Sequence, residues 1–164
     1  MKYKEYCLNK IGVIFKCLVS FYYDIRLIEK FRLVRKDIAP ISLNSYKTQS
    51  VDYLLLVESL KFGDFGRQEF TAVCDVGCGT GRLLAYVASK FPNNTYYGYE
   101  LNAIAANIAK EQLAKYSNIS IFAGDILDVH LECDYYICFN PFPSEVFSLF
   151  LNKIGNSNPC SVLY

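Results

Sequence analysis

Between residues 75 and 82 the chain reads Asp-Val-Gly-Cys-Gly-Thr-Gly-Arg. Glycines at alternate positions, Gly77, Gly79 and Gly81, allow a tight turn and let a ligand press against bare backbone. A helix starting directly after such a turn presents free N–H groups to the same ligand. Taken alone, a glycine-rich turn serves equally well as a close strand-to-helix join. Two neighbours narrow the chemistry. The dinucleotide fingerprint G-x-G-x-x-G needs glycine where Arg82 stands, and Asp75, two residues before Gly77, would repel a pyrophosphate. That acid suits a ligand with a cationic end. Glu100 follows Gly81 by nineteen residues, where a carboxylate can accept both hydroxyls of a ribose. Asp125 can accept an adenine amino hydrogen. Together the three acids ask for a ligand with an ammonium, a ribose and an adenine but no phosphate.

These residues need a scaffold, and the chain supplies a repeating one. FTAVCDV (70–76) is a short apolar run that ends in the glycine turn, and RLLAYVASKF has helical spacing until Pro92 stops it. TYYGYE (95–100) reads as a second strand, and Asn102 caps a helix running to about Tyr116, with Glu111 and Lys115 paired at i,i+4. NISIFAG (118–124), DYYICFN (134–140) and CSVLY (160–164) are three further strands, with a helix over 144–153 between the last two. Strands alternating with helices, and apolar enough to be buried on both faces, imply a doubly wound α/β fold around a parallel sheet. In such a sheet ligands bind beyond the carboxyl ends of the strands, which is where the three acids fall.

DVGCGTGR, YYGYE, AGDI and FNPF, in this order and spacing, resemble the class I S-adenosylmethionine-dependent methyltransferases across roughly residues 70–142. The ligand composition that the acids call for is that of S-adenosylmethionine. The resemblance implies that Asp75, Gly77, Cys78, Gly79 and Gly81 cradle the methionine part of the cofactor. It also implies that Glu100 holds the ribose, that Leu101 lies against the adenine, and that Asp125 and Ile126 border the ring. Tyr46 to Ser50 resembles the start of the helix ahead of the first strand, which contacts the cofactor carboxylate in the family. The family's sheet has strand order 3-2-1-4-5-7-6 with an antiparallel hairpin at the end. A chain ending at CSVLY has order 3-2-1-4-5 and no residues for that hairpin. Val162, Leu163 and Tyr164 would then form an apolar edge, prone to self-association through residues 160–164 unless another element covers it.

The acceptor side is read from Asn140, Pro141, Phe142 and Pro143. Amino-directed members of the family carry an Asn/Asp-Pro-Pro-aromatic motif at this place, whose amide and carbonyls accept the target's N–H groups and whose aromatic stacks on a planar substrate. Here the aromatic arrives one position early. FNPFPSEVFSLF also looks like the matching segment of the Dot1-type lysine methyltransferase branch. Asn140, Pro141 and Phe142 are therefore the expected catalytic residues, with Asn140 also expected to border the cofactor at its transferable methyl; N-methylation is favoured over O- or C-methylation, and Glu145 is the nearest general-base candidate. The other reading of Asn140 to Pro143 is a proline-stiffened turn. A non-catalytic module that keeps the cofactor pocket and docks a partner is the alternative to an enzyme. A nicotinamide enzyme is argued against by Arg82 and Asp75.

Composition sets the remaining bounds. With 164 residues, 52% hydrophobic and 20% charged, the chain has too much apolar surface to stay disordered. Residues 1–40 carry nine Lys/Arg against four Asp/Glu, while residues 41–164 carry eight against twelve. The split marks a basic helical extension over 1–44 and an acidic cofactor-binding domain over 45–164, and the acidic body argues against nucleic acid as partner. The partner is instead an unidentified methyl acceptor, small molecule or protein. Ile11, Ile14, Leu18, Tyr22 and Ile25 recur at helical spacing. Membrane contact through residues 11–25 is one reading, but Asp24 and a thin polar face favour a packing helix. A helix is expected from Gln49 to Leu60, capped by Thr48 or Ser50. Seven cysteines at irregular spacing, without an export signal, fit reduced thiols in a cytoplasmic protein. Cys74 and Cys78 read as small packing residues rather than zinc ligands, and a single histidine, His130, excludes a His-based triad.

Overall fold

The computed structural model describes residues 71–139, 141–155 and 160–163, together with single positions at Leu18, Phe21, Tyr22, Ile25 and Leu60. Its elements are β1 (Ala72–Val76), α1 (Arg82–Lys90), β2 (Thr95–Glu100), α2 (Ala103–Leu113), β3 (Ile119–Ala123), a 3-10 turn (Ile126–Asp128), β4 (Tyr135–Ile137), α3 (Ser144–Gly155) and β5 (Ser161–Leu163). The five strands form one sheet in the order β3-β2-β1-β4-β5, and every pairing is parallel. The expected α/β fold and strand order are both present. Apart from Leu18, Phe21, Tyr22 and Ile25, the extension over 1–44 lies outside the described residues, as do the residues 49–59 of the helix expected ahead of the sheet, and Tyr164. Leu60 is helical and buried in the core, whereas Leu18, Phe21, Tyr22 and Ile25 are helical and exposed. No helix among the described residues is long and apolar enough to cross a membrane.

The inner strands β1, β2 and β4 are buried on both faces, and the period of two divides their residues between two core layers. Val73, Tyr96, Ile121, Tyr135 and Ile137 face α1 and α2. Cys74, Val76, Tyr99, Tyr136 and Cys138 face Phe150 and Ile154 of α3. The tyrosine pairs at 96–97 and 135–136 are strand residues as expected, and two of their hydroxyls have a further role. Tyr96 donates to the carbonyls of Phe91 (2.7 Å) and Val87 (3.3 Å), closing the C-terminal end of α1. Tyr136 donates to Leu131 O at 2.7 Å and accepts from Cys133 N–H at 3.2 Å, fixing the chain ahead of β4.

Element ends depart from expectation for identifiable reasons. Asn102 caps α2 as expected, accepting from Ile104 N–H at 3.0 Å and Ala105 N–H at 3.3 Å. The helix stops at Leu113 rather than Tyr116, because the chain tightens into a turn in which Tyr116 N–H donates to Leu113 O at 2.9 Å. β4 is three residues rather than seven, since β1 and β5 offer it only three partners each. At the opposite end of the sheet from the glycine turn, Asp134 Oδ2 accepts from Thr71 N–H (2.9 Å), Thr71 Oγ1 (2.8 Å) and Ala72 N–H (2.9 Å), stapling β1 to the start of β4. Removing the buried Tyr96 hydroxyl takes a donor from the carbonyls of Val87 and Phe91, leaving them the N–H groups of Phe91 (2.8 Å) and Asn94 (3.4 Å). Tyr96→Phe should therefore lose about 1–2 kcal/mol, measured as a lower denaturant midpoint at unchanged slope.

Candidate functional site

After β1 the chain turns through residues 77–81 with φ of +74° at Gly77, +55° at Gly79 and +81° at Gly81. That left-handed region explains glycine at each of the three positions. The turn is lashed to β2: Gly77 N–H and Cys78 N–H both donate to Tyr99 O, at 2.8 and 3.0 Å. Gly79 N–H donates to Glu100 Oε2 at 2.9 Å, and Gly81 N–H donates to Cys78 O at 2.9 Å. The expectation that these glycines bare the backbone for a ligand therefore needs correction at two of them. A Cβ on Gly81 would lie 2.5 Å from Leu113 Cδ1, and one on Gly77 would lie 2.7 Å from Pro141 Cβ. Their missing side chains make room for protein.

Two carboxylates stand beside the turn on the α1/α2 side of the sheet. Asp75 pairs in register with Gly98 of β2 and Ile137 of β4, and Glu100 lies two residues beyond Gly98. Asp75 is 3% exposed, and its Oδ2 has no hydrogen-bond partner. Desolvation, and then the Glu100 carboxylate, push the Asp75 carboxyl up to about 8. Glu100 is also buried, but its oxygens are occupied: Oε2 accepts from Gly79 N–H and Oε1 from Asn102 N–H at 2.8 Å. Burial raises the Glu100 carboxyl, and these two backbone bonds oppose the rise. Glu100 thus braces the glycine turn, a role its spacing did not disclose. Each of its oxygens keeps a second lone pair for a hydroxyl donor.

Around this centre lie the other predicted residues. Leu101 is 38% exposed at the end of β2, and Ile126 is buried in the α3-side layer. Asp125 caps the 3-10 turn by accepting from Leu127 N–H at 2.9 Å. Asn140 lies outside the described residues. Pro141 is half-buried against Gly77. Phe142 requires a correction. Rather than standing open for a planar substrate, it is 9% exposed, with ring centroids 5.9 Å from Phe150 and 6.1 Å from Phe147. Displaced one position from the family pattern, the ring turns into the core. Glu145 is exposed in the first turn of α3. Cys74 and Cys78 pack into different core layers; the hydrogen bond with Cys133, and then burial, raises the Cys74 thiol, and burial raises the Cys78 thiol. His130 is exposed, 3.4 Å from Glu132.

Two contributors went unread in the sequence. Tyr99 acts through its carbonyl, which no side-chain reasoning reaches. Gly98 had a signal, a glycine inside a strand. A Cβ there would meet Ile121 and Leu84 at 2.7 Å and Cys78 Sγ at 2.9 Å, so its absence lets the turn and α1 close onto β2.

The family model described as a methyltransferase domain matches residues 73–154, half of the chain. The chain belongs to that family. Its cofactor is S-adenosylmethionine, and the residues present fit it: Asp75 Oδ2 is a buried acceptor in want of a cation, and Glu100 retains acceptor capacity toward hydroxyls. A malonyl-[acyl-carrier protein] O-methyltransferase of Priestia megaterium is 31% identical over 72 residues, covering 44% of this chain and 26% of the relative. A candidate RNA methyltransferase from Pyrococcus horikoshii shares the fold at a TM-score of 0.50 and 23% identity, covering 63% of this chain and 53% of that one. The mitomycin 7-O-methyltransferase MmcR does so at 0.51 and 19%, covering 68% and 34%. The chain thus spans about a quarter of the curated relative and about half of the Pyrococcus protein.

Asp75 gives the methyltransferase domain a pH signature. With its carboxyl raised from 3.8 to about 8 in the folded state, the stability it contributes is complete below about pH 4 and is lost as pH rises through about 8. Asp75→Asn should flatten that loss and be more stable than the unliganded wild type at about pH 8.5, while binding S-adenosylhomocysteine more weakly. Denaturant midpoints across the range test this; identical pH slopes would remove Asp75 as the titrating group.

Proposed function

We propose that this chain carries the cofactor site of an S-adenosylmethionine-dependent methyltransferase whose acceptor is a small molecule or a protein. The observation that supports it most is the orphaned, buried Asp75 Oδ2 beside a glycine turn of the matched family. In this reading Asp75 accepts the ammonium of the methionine part, and Glu100 accepts the ribose hydroxyls with the lone pairs left after bracing Gly79 and Asn102. Leu101 covers one side of the adenine. Ile126 and the second oxygen of Asp125 border its other edges, and Cys78 and Gly79 form the floor, with Gly77 and Gly81 shaping the turn from behind.

When bound, the cofactor supplies an electrophilic methyl on a sulfonium, with a neutral thioether as leaving group. The chain's own residues then contribute orientation and exclusion of water rather than proton transfer. In this reading Asn140 and Pro141 serve the acceptor, and an amide followed by proline favours a nitrogen, whose N–H groups an amide oxygen can accept. Phe142 supports this turn from within the core. Glu145 is the group in reach should a proton need removal. The curated relative is named for a malonyl-[acyl-carrier protein], and the acceptor of this chain is to be sought among small molecules and proteins. β5, the outer strand of the described sheet, is proposed to pair with a second copy through residues 160–163. A monomeric sedimentation profile at high concentration would remove that pairing.

Calorimetric titration with S-adenosylhomocysteine tests the cofactor site, and a flat titration of folded protein overturns the reading. Glu100→Ala should weaken binding by about 1–3 kcal/mol, because it removes the ribose acceptor and frees the Gly79 N–H. Transfer of labelled methyl into extract of the source cells tests catalysis. Cofactor binding with no transfer would instead favour a non-catalytic module.

A further inference from the structure

Gly77 belongs by sequence to the cofactor turn, yet its bare α-carbon faces a residue of the acceptor turn. A Cβ at position 77 would lie 2.7 Å from Pro141 Cβ and 3.3 Å from Pro141 Cα. Both partners are held from behind. Gly77 N–H donates to Tyr99 O at 2.8 Å, which ties it to β2 in the middle of the sheet. Pro141 is followed by Phe142, buried between Phe147 and Phe150 of α3. Phe147 N–H in turn donates to Pro143 O at 2.9 Å, so the residues after Pro141 are fixed to the start of that helix. The two turns therefore meet at a contact whose closeness depends on the absence of a side chain. Gly81, by comparison, seats Leu113 and Ala109 of α2, remote from the acceptor turn in the fold.

We propose that Gly77 is a positioning residue for the acceptor: its vacant side-chain position is the seat of Pro141 and sets the gap between the methyl-donor turn and the acceptor turn. This rests on the methyltransferase reading and deepens it. A Cβ at position 77 forces Pro141 away, and a displacement of that size at reacting groups costs far more in rate than in ground-state binding. The left-handed φ of +74° adds strain for alanine, but the strain is present with and without cofactor and lowers folding stability, not the ratio of transfer to affinity.

The test compares the full chain with Gly77→Ala, Pro141→Gly, Pro141→Ala and the double variant Gly77→Ala/Pro141→Gly. Affinity is read by calorimetry with S-adenosylhomocysteine, and transfer with methyl-tritiated S-adenosylmethionine and source-cell extract. Gly77→Ala is expected to slow transfer on the order of ten- to a hundredfold and to change affinity by less than about threefold. In the Pro141→Gly background, where the contacted Cβ is gone, the same substitution should slow transfer by less than about threefold. An equal penalty in both backgrounds, or affinity falling in step with transfer, overturns the proposal. If Gly77→Ala does not fold, the Pro141 pair decides: Pro141→Ala keeps the seated Cβ and should outpace Pro141→Gly, and equal rates overturn the proposal. A wild type that shows no heat with S-adenosylhomocysteine overturns the functional reading itself. One that binds but transfers nothing removes the acceptor role from Gly77.

Discussion

Two carboxylates buried on one side of a sheet, on adjacent strands, are the constraint around which the described domain is arranged. Burying one such charge costs several kcal/mol unless it is paired or hydrogen-bonded. Glu100 meets the constraint with backbone: Gly79 N–H from the turn and Asn102 N–H from the start of α2 converge on its two oxygens. Those bonds make the side chain a rivet between β2, the glycine turn and the following helix. Asp75 has no such relief at Oδ2, and its raised carboxyl shows the cost. A cationic ligand group delivered to that oxygen removes the deficit. The unliganded site is therefore built to gain from the charge that its cofactor carries.

The glycines serve the same arrangement by letting protein parts approach one another. Gly98 admits Cys78 and Leu84 onto β2, Gly81 admits Leu113 of α2, and Gly77 admits Pro141. Each missing side chain draws one more element toward Asp75: α1, α2 and the acceptor turn. At Gly77 and Gly81 a positive φ is the local reason for glycine, and at all three positions the close approach is the long-range reason. A ligand is thus held by a turn already fixed on every side, which lowers the ordering cost of binding.

What was legible in the sequence follows from range. Strand alternation, the Asn102 cap, the arrest of α1 before Pro92 and the order of the acids are all local patterns, and the structure keeps them. The strand order came from the family resemblance. Features decided by partners far along the chain were not legible. The length of β4 depends on how many residues β1 and β5 can offer it, and the occupants of the glycine seats lie between 14 and 64 residues away in sequence. Phe142 shows the limit most plainly. Its residue type matched the motif, but a shift of one position along a turn reverses the direction of a side chain, and Phe147 and Phe150 were waiting on the inner side. Asp125 and Glu100 were read as ligand groups from their type; their backbone bonds could be seen only once the turns had closed.

The division between legible and illegible parts tracks a division in the chemistry. Because the sulfonium carries the reactivity, the cofactor side needs only a fixed turn, a cation acceptor and a hydroxyl acceptor, all supplied within residues 75–126 by the ends of β1, β2 and β3. Such a unit can be shared at the level of fold by proteins named for RNA and for mitomycin, at TM-scores of 0.50 and 0.51. In the proposed reading the acceptor side comes from the segment between β4 and α3. Its link to the cofactor side would then be mechanical, with Pro141 against Gly77 and Phe142 packed on α3 setting the distance between the two turns. An acceptor site attached in this way can change its walls without disturbing the two buried acids, which is why the cofactor is readable from this chain and the acceptor is not.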